Sequence, residues 1–429
     1  MTELRALTRA LLGSALLGLT AAGCGSDELT SPPAAANTLV VTPTRLVMGV
    51  GMLRRLSAAV VDQSGAAVPG GIVSFVSSDP GRASVTSEGL VSYVGAGEAE
   101  ITASSNDLVA VIPYTGLQTG HPLGRMTTSA RLPGDGQGDG PFGAAVDGEG
   151  RILISQSNSG RVATSFYPVS GIATRELGGS PTSIALLGGG TALVTPTGPD
   201  GNDASLIEVS SDRVLGQVPL GVPAFSALAG PDSQTVYLGT NDGRVLELDV
   251  ASSTITASMD LGVANSRANH LALNSAGTLL YASSFTTGTI SEIDLASRSL
   301  ARLFIVGGEP QGLALSSDGT ELFVADESDT GSINVYDLVG DTLETSIPSG
   351  ARSSIGGPFG LAMSPDGARV YVGVITTEGP GLIQVIDAGT RTVERTINSC
   401  GGVPRRIAFG FSGGLAVIAD ESGCVNVVE

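Results

Sequence analysis

Short apolar runs with alternating polar positions, separated by turn residues, recur along almost the whole chain. In residues 37–116 such runs fall at 39–41, 56–61, 72–75, 89–91 and 100–103. Gly, Pro, Ser and Asp separate them at intervals of about 8 to 12 residues. A period of two predicts half-buried strands, and this spacing is typical of a small β-sandwich. We therefore expect an all-β domain at residues 37–116.

From residue 120 onward a longer unit repeats. Its clearest copies are residues 310–324 (PQGLALSSDGTELFV) and 358–372 (PFGLAMSPDGARVYV). Each copy is followed by an alternating strand that ends in Asp337 or Asp387, and then by one further strand. Four strands in each unit are the content of one propeller blade.

Seven copies of this unit follow one another at spacings of 40 to 48 residues. They predict an all-β, seven-bladed β-propeller over residues 120–429. The last copy ends after three strands, and residues 126–132 have the pattern of a strand without three partners of its own. We expect this strand to complete the last blade, because closing the ring removes exposed sheet edges. The copies begin at Pro141, Pro181, Pro223, Ala268, Pro310, Pro358 and Pro404.

Two family resemblances accompany these patterns. The stretch VSFVSSDPGRASVTSEGLVSYVGAGEAEITA resembles the bacterial group 2 immunoglobulin-like (BIG2) family, with Phe75 where that family usually has Trp. The pattern Ser-Pro-Asp-Gly-x-x-Val-Tyr-Val at residues 364–372, with its following strands, resembles the YVTN propeller repeats. The first resemblance implies a spacer or adhesive module. The second implies an architecture rather than an activity.

The N-terminal residues have the order of an export signal. Arg5 and Arg9 precede an apolar run at residues 10–22 that is too short to span a membrane, and Cys24 follows. Ala-Ala-Gly-Cys at residues 21–24 resembles a lipoprotein cleavage box, which implies a signal peptide at residues 1–23 and lipidation of Cys24. Residues 24–36 predict a flexible tether. We expect an envelope protein that is lipid-anchored in the outer membrane; a plain secretory signal is the alternative.

Composition narrows the function classes. The formal net charge of −19 disfavours nucleic-acid binding. With Cys24 lipidated, Cys400 and Cys424 remain as a pair, which in an exported protein predicts a disulfide. His121 and His270 are the only histidines in the sequence, which excludes histidine-rich metal sites. We predict no cofactor and no metal, because no haem-attachment motif and no dinucleotide fingerprint is present.

Two short motifs suggest chemistry but have simpler structural interpretations. Ser412 lies in a G-x-S-x-G sequence, yet it aligns with a strand-to-strand hairpin and has no histidine nearby, so we assign no catalytic residue. Residues 135–140 (DGQGDG) resemble half of a calcium loop, but Val146 stands at the twelfth position where Glu is required. A flexible glycine-rich turn is the preferred interpretation.

The candidate binding surface is the propeller face on which the loops entering each first strand meet those leaving each second strand. Residues after the anchors include Thr182 and Ala224, and acidic residues after the second strands include Asp242, Glu327, Glu378 and Glu421. Our ligand-binding candidates on this face are Phe142, Asn269, His270, Gln311, Asp326, Phe359, Arg405, Arg406 and Asp420.

These features favour a binding or scaffold protein that presents this face to an envelope protein, a peptide or a small polar ligand. The membrane is a partner through the lipid anchor. One alternative is a lactonase- or lyase-like propeller enzyme that uses His270 with Asp326 or Asp420. Cell-surface adhesion is a further alternative, although seven Tyr, ten Phe and no Trp leave few stacking platforms for sugars.

Overall fold

The computed structural model describes residues 38–48, 53–68, 72–116, 126–131, 139–167, 170–197, 202–211, 213–328, 331–350, 356–376, 379–410 and 414–428. Within these ranges the elements are strands, apart from a 3-10 turn at Gly188–Gly190. No helix there is long and apolar enough to cross a membrane. The expectations for Cys24, His121, Glu378 and Ser412, and for the signal peptide and tether, concern residues outside these ranges.

The first nine strands form three sheets around one hydrophobic core. The sheets have the orders β1-β4, β2-β9-β8-β5 and β3-β7-β6. Tyr114 is fully buried in the shared core, and Phe75 packs against its edge. The Tyr114 hydroxyl donates to the carbonyl of Arg82 at 2.9 Å, which satisfies its buried polar group. The strands are β1 (Thr38–Thr42), β2 (Leu46–Met48), β3 (Leu53–Arg55), β4 (Ser57–Val61), β5 (Ser74–Ser77), β6 (Ala83–Val85), β7 (Leu90–Tyr93), β8 (Gly97–Ser105) and β9 (Leu108–Gly116).

After Gly116 the described residues form seven four-stranded antiparallel sheets. Six of them use four strands that are consecutive in the chain. Their strands are β11 (Pro141–Val146), β12 (Arg151–Gln156), β13 (Arg161–Phe166), β14 (Ser170–Glu176); β15 (Ser180–Leu187), β16 (Thr191–Thr197), β17 (Asp203–Glu208), β18 (Arg213–Pro219); β19 (Ala224–Ala229), β20 (Thr235–Thr240), β21 (Arg244–Asp249), β22 (Thr254–Asp260); β23 (His270–Leu273), β24 (Leu279–Ser284), β25 (Thr289–Asp294), β26 (Ser299–Ile305); β27 (Pro310–Leu315), β28 (Glu321–Asp326), β29 (Ser332–Asp337), β30 (Thr342–Pro348); β31 (Pro358–Met363), β32 (Arg369–Val374), β33 (Leu382–Asp387) and β34 (Thr392–Asn398).

The seventh sheet joins strands from distant parts of the sequence. It consists of β35 (Pro404–Gly410), β36 (Leu415–Asp420), β37 (Cys424–Val428) and β10 (Met126–Arg131). Strand β10 pairs antiparallel with β37 and supplies the fourth strand of this sheet. The N-terminal and C-terminal ends of the repeat region are thus held by backbone hydrogen bonds.

A disulfide reinforces this composite sheet. Cys400, before β35, is bonded to Cys424, the first residue of β37, with the two Cα atoms 6.3 Å apart. The two cysteines are 24 positions apart in the sequence. Closing a loop of that length stabilises the folded state by roughly 3 kcal/mol in the chain-entropy account.

The Ser-x-Asp-Gly sequence forms the hairpin between the first and second strands of a sheet. Ser364 donates its hydroxyl hydrogen to Asp366 Oδ1 at 2.7 Å, and the same oxygen accepts the Ala368 amide at 2.9 Å. Gly367 adopts a φ of 72°, a conformation that a residue without a side chain reaches readily. Ser316 and Asp318 repeat this arrangement in the preceding sheet.

The first strand of each sheet, called here an inner strand, contacts the inner strand of the next sheet. The contacts run from β11 through β15, β19, β23, β27 and β31 to β35, and β35 contacts β11 again. The approach is closest where no side chain intervenes. A Cβ atom added at Gly312 would lie 2.6 Å from the carbonyl oxygen of Phe359, and one at Gly360 would overlap that of Arg405. These inner strands carry the residues of the candidate site.

Candidate functional site

Among the described residues, two of the cavities lie along the inner strands, and they share no lining residue. The first, called here the mouth cavity, has a volume of about 410 Å³. The second, the channel cavity, has a volume of about 460 Å³ and is lined by residues of all seven inner strands. The mouth cavity is lined by Phe142, Thr197, Phe225, Asn241, Arg267, Asn269, Phe285, Gln311, Glu327, Phe359 and Arg405.

The structure divides our candidate residues between these cavities. His270 and Arg406 line the channel cavity, whereas Asp326 and Asp420 are absent from the linings of both. The candidates in the mouth cavity are Phe142, Asn269, Gln311, Phe359 and Arg405.

The third inner strand differs in register from the expectation. Pro223 precedes β19, so Ala224 occupies the place of the anchoring proline and Phe225 lines the mouth cavity. The hairpin that follows the strand gives the correct register. Asp232 of this hairpin corresponds to Asp318, and counting back from Asp232 by the interval that separates Asp318 from Pro310 leads to Ala224. Anchoring the repeat on the hairpin therefore predicts Phe225 as a third phenylalanine at this surface.

Three phenylalanines form an aromatic cluster in the mouth cavity. The Phe142 ring meets those of Phe225 and Phe359 edge to face, with ring centres 5.4 and 5.7 Å away. Phe142 and Phe359 keep only 7% and 6% of their surface exposed. Edge-to-face pairs of this kind add about 0.5–1.5 kcal/mol beyond burial of their area. The cluster therefore gives this cavity a fixed apolar wall.

Arg405 is held in place on that wall. Its guanidinium lies over the Phe359 ring at 4.3 Å and over the Phe142 ring at 5.2 Å. It also pairs with the Glu421 carboxylate at 2.6 Å. A cation on an aromatic face with its own counter-ion is both oriented and neutralised. Arg405 therefore shapes the cavity without adding a free positive charge.

A chain of hydrogen bonds also lines the mouth cavity. Asn269 Nδ2 donates to Gln311 Oε1 at 2.7 Å, and Gln311 Nε2 donates to Glu327 Oε2 at 2.6 Å. Burial raises the pKa of Glu327 above its ordinary value, a shift that nearby Arg405 and the Gln311 hydrogen bond oppose. The chain ends on a carboxylate that faces the cavity and makes no ion pair among the described residues.

Asp326 and Asp420 have structural roles in the loops that enter two inner strands. Asp326 Oδ1 accepts the amides of Glu309 and Ser328 at 2.8 and 3.1 Å. Asp420 is fully buried and accepts two backbone amides at 3.1 Å as well as the Ser399 hydroxyl. Each carboxylate ends a second strand. The residue immediately after it, Glu327 or Glu421, carries the acid that reaches the mouth cavity or its arginine.

His270 is hydrogen-bonded at the start of β23. Its Nδ1 accepts the Leu313 amide at 3.2 Å. No hydrogen bond within the described ranges joins His270 to Asp326 or Asp420. The convergence that an acid–base pair requires is therefore not formed by these three side chains.

One group of metal-ligating side chains occurs in the part of the chain that the structure describes. It comprises Cys400, Asp420 and Cys424. The two cysteines are joined as a disulfide, so neither offers a thiolate to a metal. Of the calcium-like turn, Asp139 and Gly140 are described and residues 135–138 are not.

Comparison with known proteins identifies the fold of the repeat region. No family model matches the sequence, and no curated protein matches it. Kuenenia stuttgartiensis hydrazine synthase is similar with a TM-score of 0.61 and 15% identity, over 71% of this chain and 99% of that one. The β-propeller domain of Myceliophteria thermophila Cps50 (Swd1) is similar with a TM-score of 0.56, 15% identity and the same coverages. The repeat region is a β-propeller. At this identity the likeness shows the fold alone.

The raised pKa of Glu327 leads to a prediction about stability. The folded chain holds a proton on this group at pH values where the unfolded chain has lost it, so its contribution to folding declines as pH rises above about 4.5. The destabilisation caused by the buried charge reaches its full size at pH values above the pKa of Glu327 in the folded chain. Gln in place of Glu removes the charge and keeps an oxygen to accept the Gln311 hydrogen bond. We expect Glu327→Gln to be more stable than the parent chain near neutral pH.

Urea unfolding of both chains at several pH values would measure this difference. It should be largest at about pH 8 and shrink as the pH falls below about 4.5, where the parent carboxyl becomes protonated in both states. A variant of equal or lower stability at about pH 8, or a difference that grows on acidification, would contradict the assignment of Glu327 as a desolvated carboxylate.

Proposed function

We propose that residues 120–429 form one closed, seven-bladed propeller of the YVTN type, carried on a bacterial group 2 immunoglobulin-like spacer at residues 37–116. Seven four-stranded sheets whose inner strands contact one another in a ring support the blade count. The pairing of β10 with β37 supports closure of the ring. Three sheets around one core at residues 38–116 support the spacer.

We further propose that the chain is exported and anchored in the cell envelope by lipid on Cys24, with outer-membrane placement. The support is the order of two arginines, an apolar run and a small-residue box before the cysteine. Acyl chains contribute about 0.8 kcal/mol for each buried methylene, so several chains would hold the protein on a membrane. Replacing Cys24 by Ser is expected to move the chain from the membrane fraction to the soluble one. Retention in the membrane fraction would contradict the anchor.

We propose that the propeller acts as a binding or scaffold module whose ligand enters the mouth cavity. One observation carries this proposal: the same cavity is lined by an Arg405–phenylalanine wall and by a hydrogen-bonded chain that ends on Glu327. A cavity of about 410 Å³ with apolar walls and a few placed polar groups has the character of a ligand site. The ligand class is a peptide segment or small polar molecule that combines an apolar group with a hydrogen-bond donor or a cation for Glu327.

The geometry favours this function over the two alternatives. A lactonase- or lyase-like mechanism was expected to use His270 with Asp326 or Asp420, and no hydrogen bond in the described residues joins them. Adhesion through sugar stacking requires exposed aromatic faces, whereas Phe142 and Phe359 are buried and covered by Arg405. A pre-organised cavity requires neither arrangement.

A thermal-shift screen of the full chain would test the binding proposal. The probes are amino acids, short peptides, sugars, lactones and divalent cations. A bound probe raises the melting temperature by mass action. We expect a shift with peptides or amino acids that Glu327→Gln and Phe359→Ala each abolish. Glu344→Gln, on the outer strand β30, is the matched surface control and should retain it.

A shift that persists in both cavity variants would overturn the mouth cavity as the ligand site. Hydrolysis of a lactone probe, measured in a separate product assay, would overturn the binding function and restore the enzyme alternative.

A further inference from the structure

The channel cavity contains two large side chains among small ones. At the level where the inner strands approach most closely, five strands carry Gly or Ser, and the remaining two carry His270 and Arg406. A Cβ at Gly312 would meet the backbone of the next inner strand, which accounts for the small residues. His270 and Arg406 are thus the two large polar side chains in a cavity otherwise lined by small, apolar and serine residues. The residues at this level are Gly143, Ser183, Ser226, His270, Gly312, Gly360 and Arg406.

Arg406 has no counter-ion among the described residues. Its Nη2 donates to the carbonyl oxygen of Asn269 at 2.7 Å, and its guanidinium lies 5.7 Å from the centre of the Phe225 ring. Its Nε is buried and has no hydrogen-bond partner within the part of the chain that the structure describes. A buried cation without a paired charge, and a buried N–H without an acceptor, each destabilise a folded protein. A negatively charged acceptor bound at Nε would relieve both costs.

Other partly buried arginines of the propeller have carboxylate partners, although the Nε atoms of Arg302 and Arg391 are also buried without a hydrogen-bond partner among the described residues. The neighbouring Arg405 pairs with Glu421 at 2.6 Å. Arg302 pairs with Glu292 at 2.8 Å. Because these partly buried guanidiniums have carboxylate partners supplied by the protein, the unpaired charge of Arg406 is a local property of the channel cavity.

His270 adds a neutral hydrogen-bond donor to the same cavity. Its Nδ1 accepts the Leu313 amide, so the hydrogen of the neutral ring is on Nε2. Burial lowers the pKa of Arg406 to about 10, which leaves its guanidinium charged near neutral pH. The cavity therefore combines a positive charge, a free N–H and a neutral donor.

We propose that the channel cavity binds a small organic monocarboxylate, with Arg406 as its ion-pair partner and His270 as a second donor. A carboxylate matches the planar fork of a guanidinium and supplies the acceptor that Nε lacks. One unpaired positive charge in a chain of net charge −19 favours a monovalent anion over a divalent one. Leu313, Leu361 and Ile407 in the lining suit a short alkyl group. This site is separate from the mouth cavity and does not depend on the function proposed for it.

Calorimetric titration of the full chain with acetate, propionate and pyruvate would test this proposal. Acetamide and propionamide are neutral analogues of nearly the same shape. We expect the carboxylates to bind and the amides not to bind. Arg406→Gln should weaken carboxylate binding by at least about 10-fold, because it removes the charged partner. Arg213→Gln, at an exposed arginine of the outer strand β18, should change it by less than about threefold.

Thermal melting shows whether Arg406→Gln is still folded, so that a loss of carboxylate binding can be attributed to the lost charge. In carboxylate-free buffer Arg406→Gln should melt at or above the temperature of the parent chain, since the substitution removes an uncompensated buried charge. The proposal is overturned if no carboxylate binds at millimolar concentration, or if the amides bind equally well. It is likewise overturned if Arg406→Gln retains affinity, or if sulfate or phosphate binds as tightly as the monocarboxylates.

Discussion

Backbone packing between neighbouring inner strands is the constraint on which the rest of the propeller depends. At Gly360 the next strand is so close that a Cβ atom would overlap the carbonyl of Arg405, and at Gly312 it would meet that of Phe359. Such packing forces small residues at one level of the inner strands. It also leaves an open channel, into which any long side chain at that level must extend. The two cavities and their residues follow from this arrangement.

Two adjacent arginines of one strand lie in different environments. Arg405 joins the phenylalanine wall and Arg406 lines the channel, where the pairing of β35 with β36 shifts register between Pro404 and Ile407. Arg405 has Glu421 as a partner, whereas Arg406 has a backbone carbonyl and an unsatisfied Nε. The mouth cavity thus has Glu327 as its available acid. The channel cavity has no carboxylate among its lining residues.

Much of the fold follows from local sequence signals, whereas the site depends on details that those signals do not resolve. Each Ser-x-Asp-Gly sequence specifies its own hairpin through the Asp side chain and a glycine with positive φ, so the repeat unit can be predicted from residues such as Asp366 and Gly367. The Cys400–Cys424 disulfide can likewise be predicted, because the lipidation inferred for Cys24 leaves these two cysteines as a pair and the export signal implies an oxidising compartment. The fold class needs only this level of information, and the propeller neighbours agree with it.

Site residues are harder to predict because a one-residue error reverses which side chain faces the cavity. Anchoring the third repeat on Pro223 selected Ala224, although Phe225 lies on the wall. Choosing Asp326 from the pair Asp326 and Glu327 selected the loop-binding acid instead of the cavity acid. The sequence gives no signal that Arg406 is unpaired, because its surroundings are formed by strands that are distant in the sequence.

The most direct test of close packing in the inner ring compares two Gly→Ala substitutions by equilibrium unfolding in urea. Gly360→Ala places a methyl group against the backbone of β35, and we expect it to reduce the free energy of unfolding by about 2–3 kcal/mol or more. Gly216→Ala, in β18, meets no atom within 4 Å and should change it by less than about 1 kcal/mol. Equal effects of the two substitutions would contradict a ring held by backbone packing.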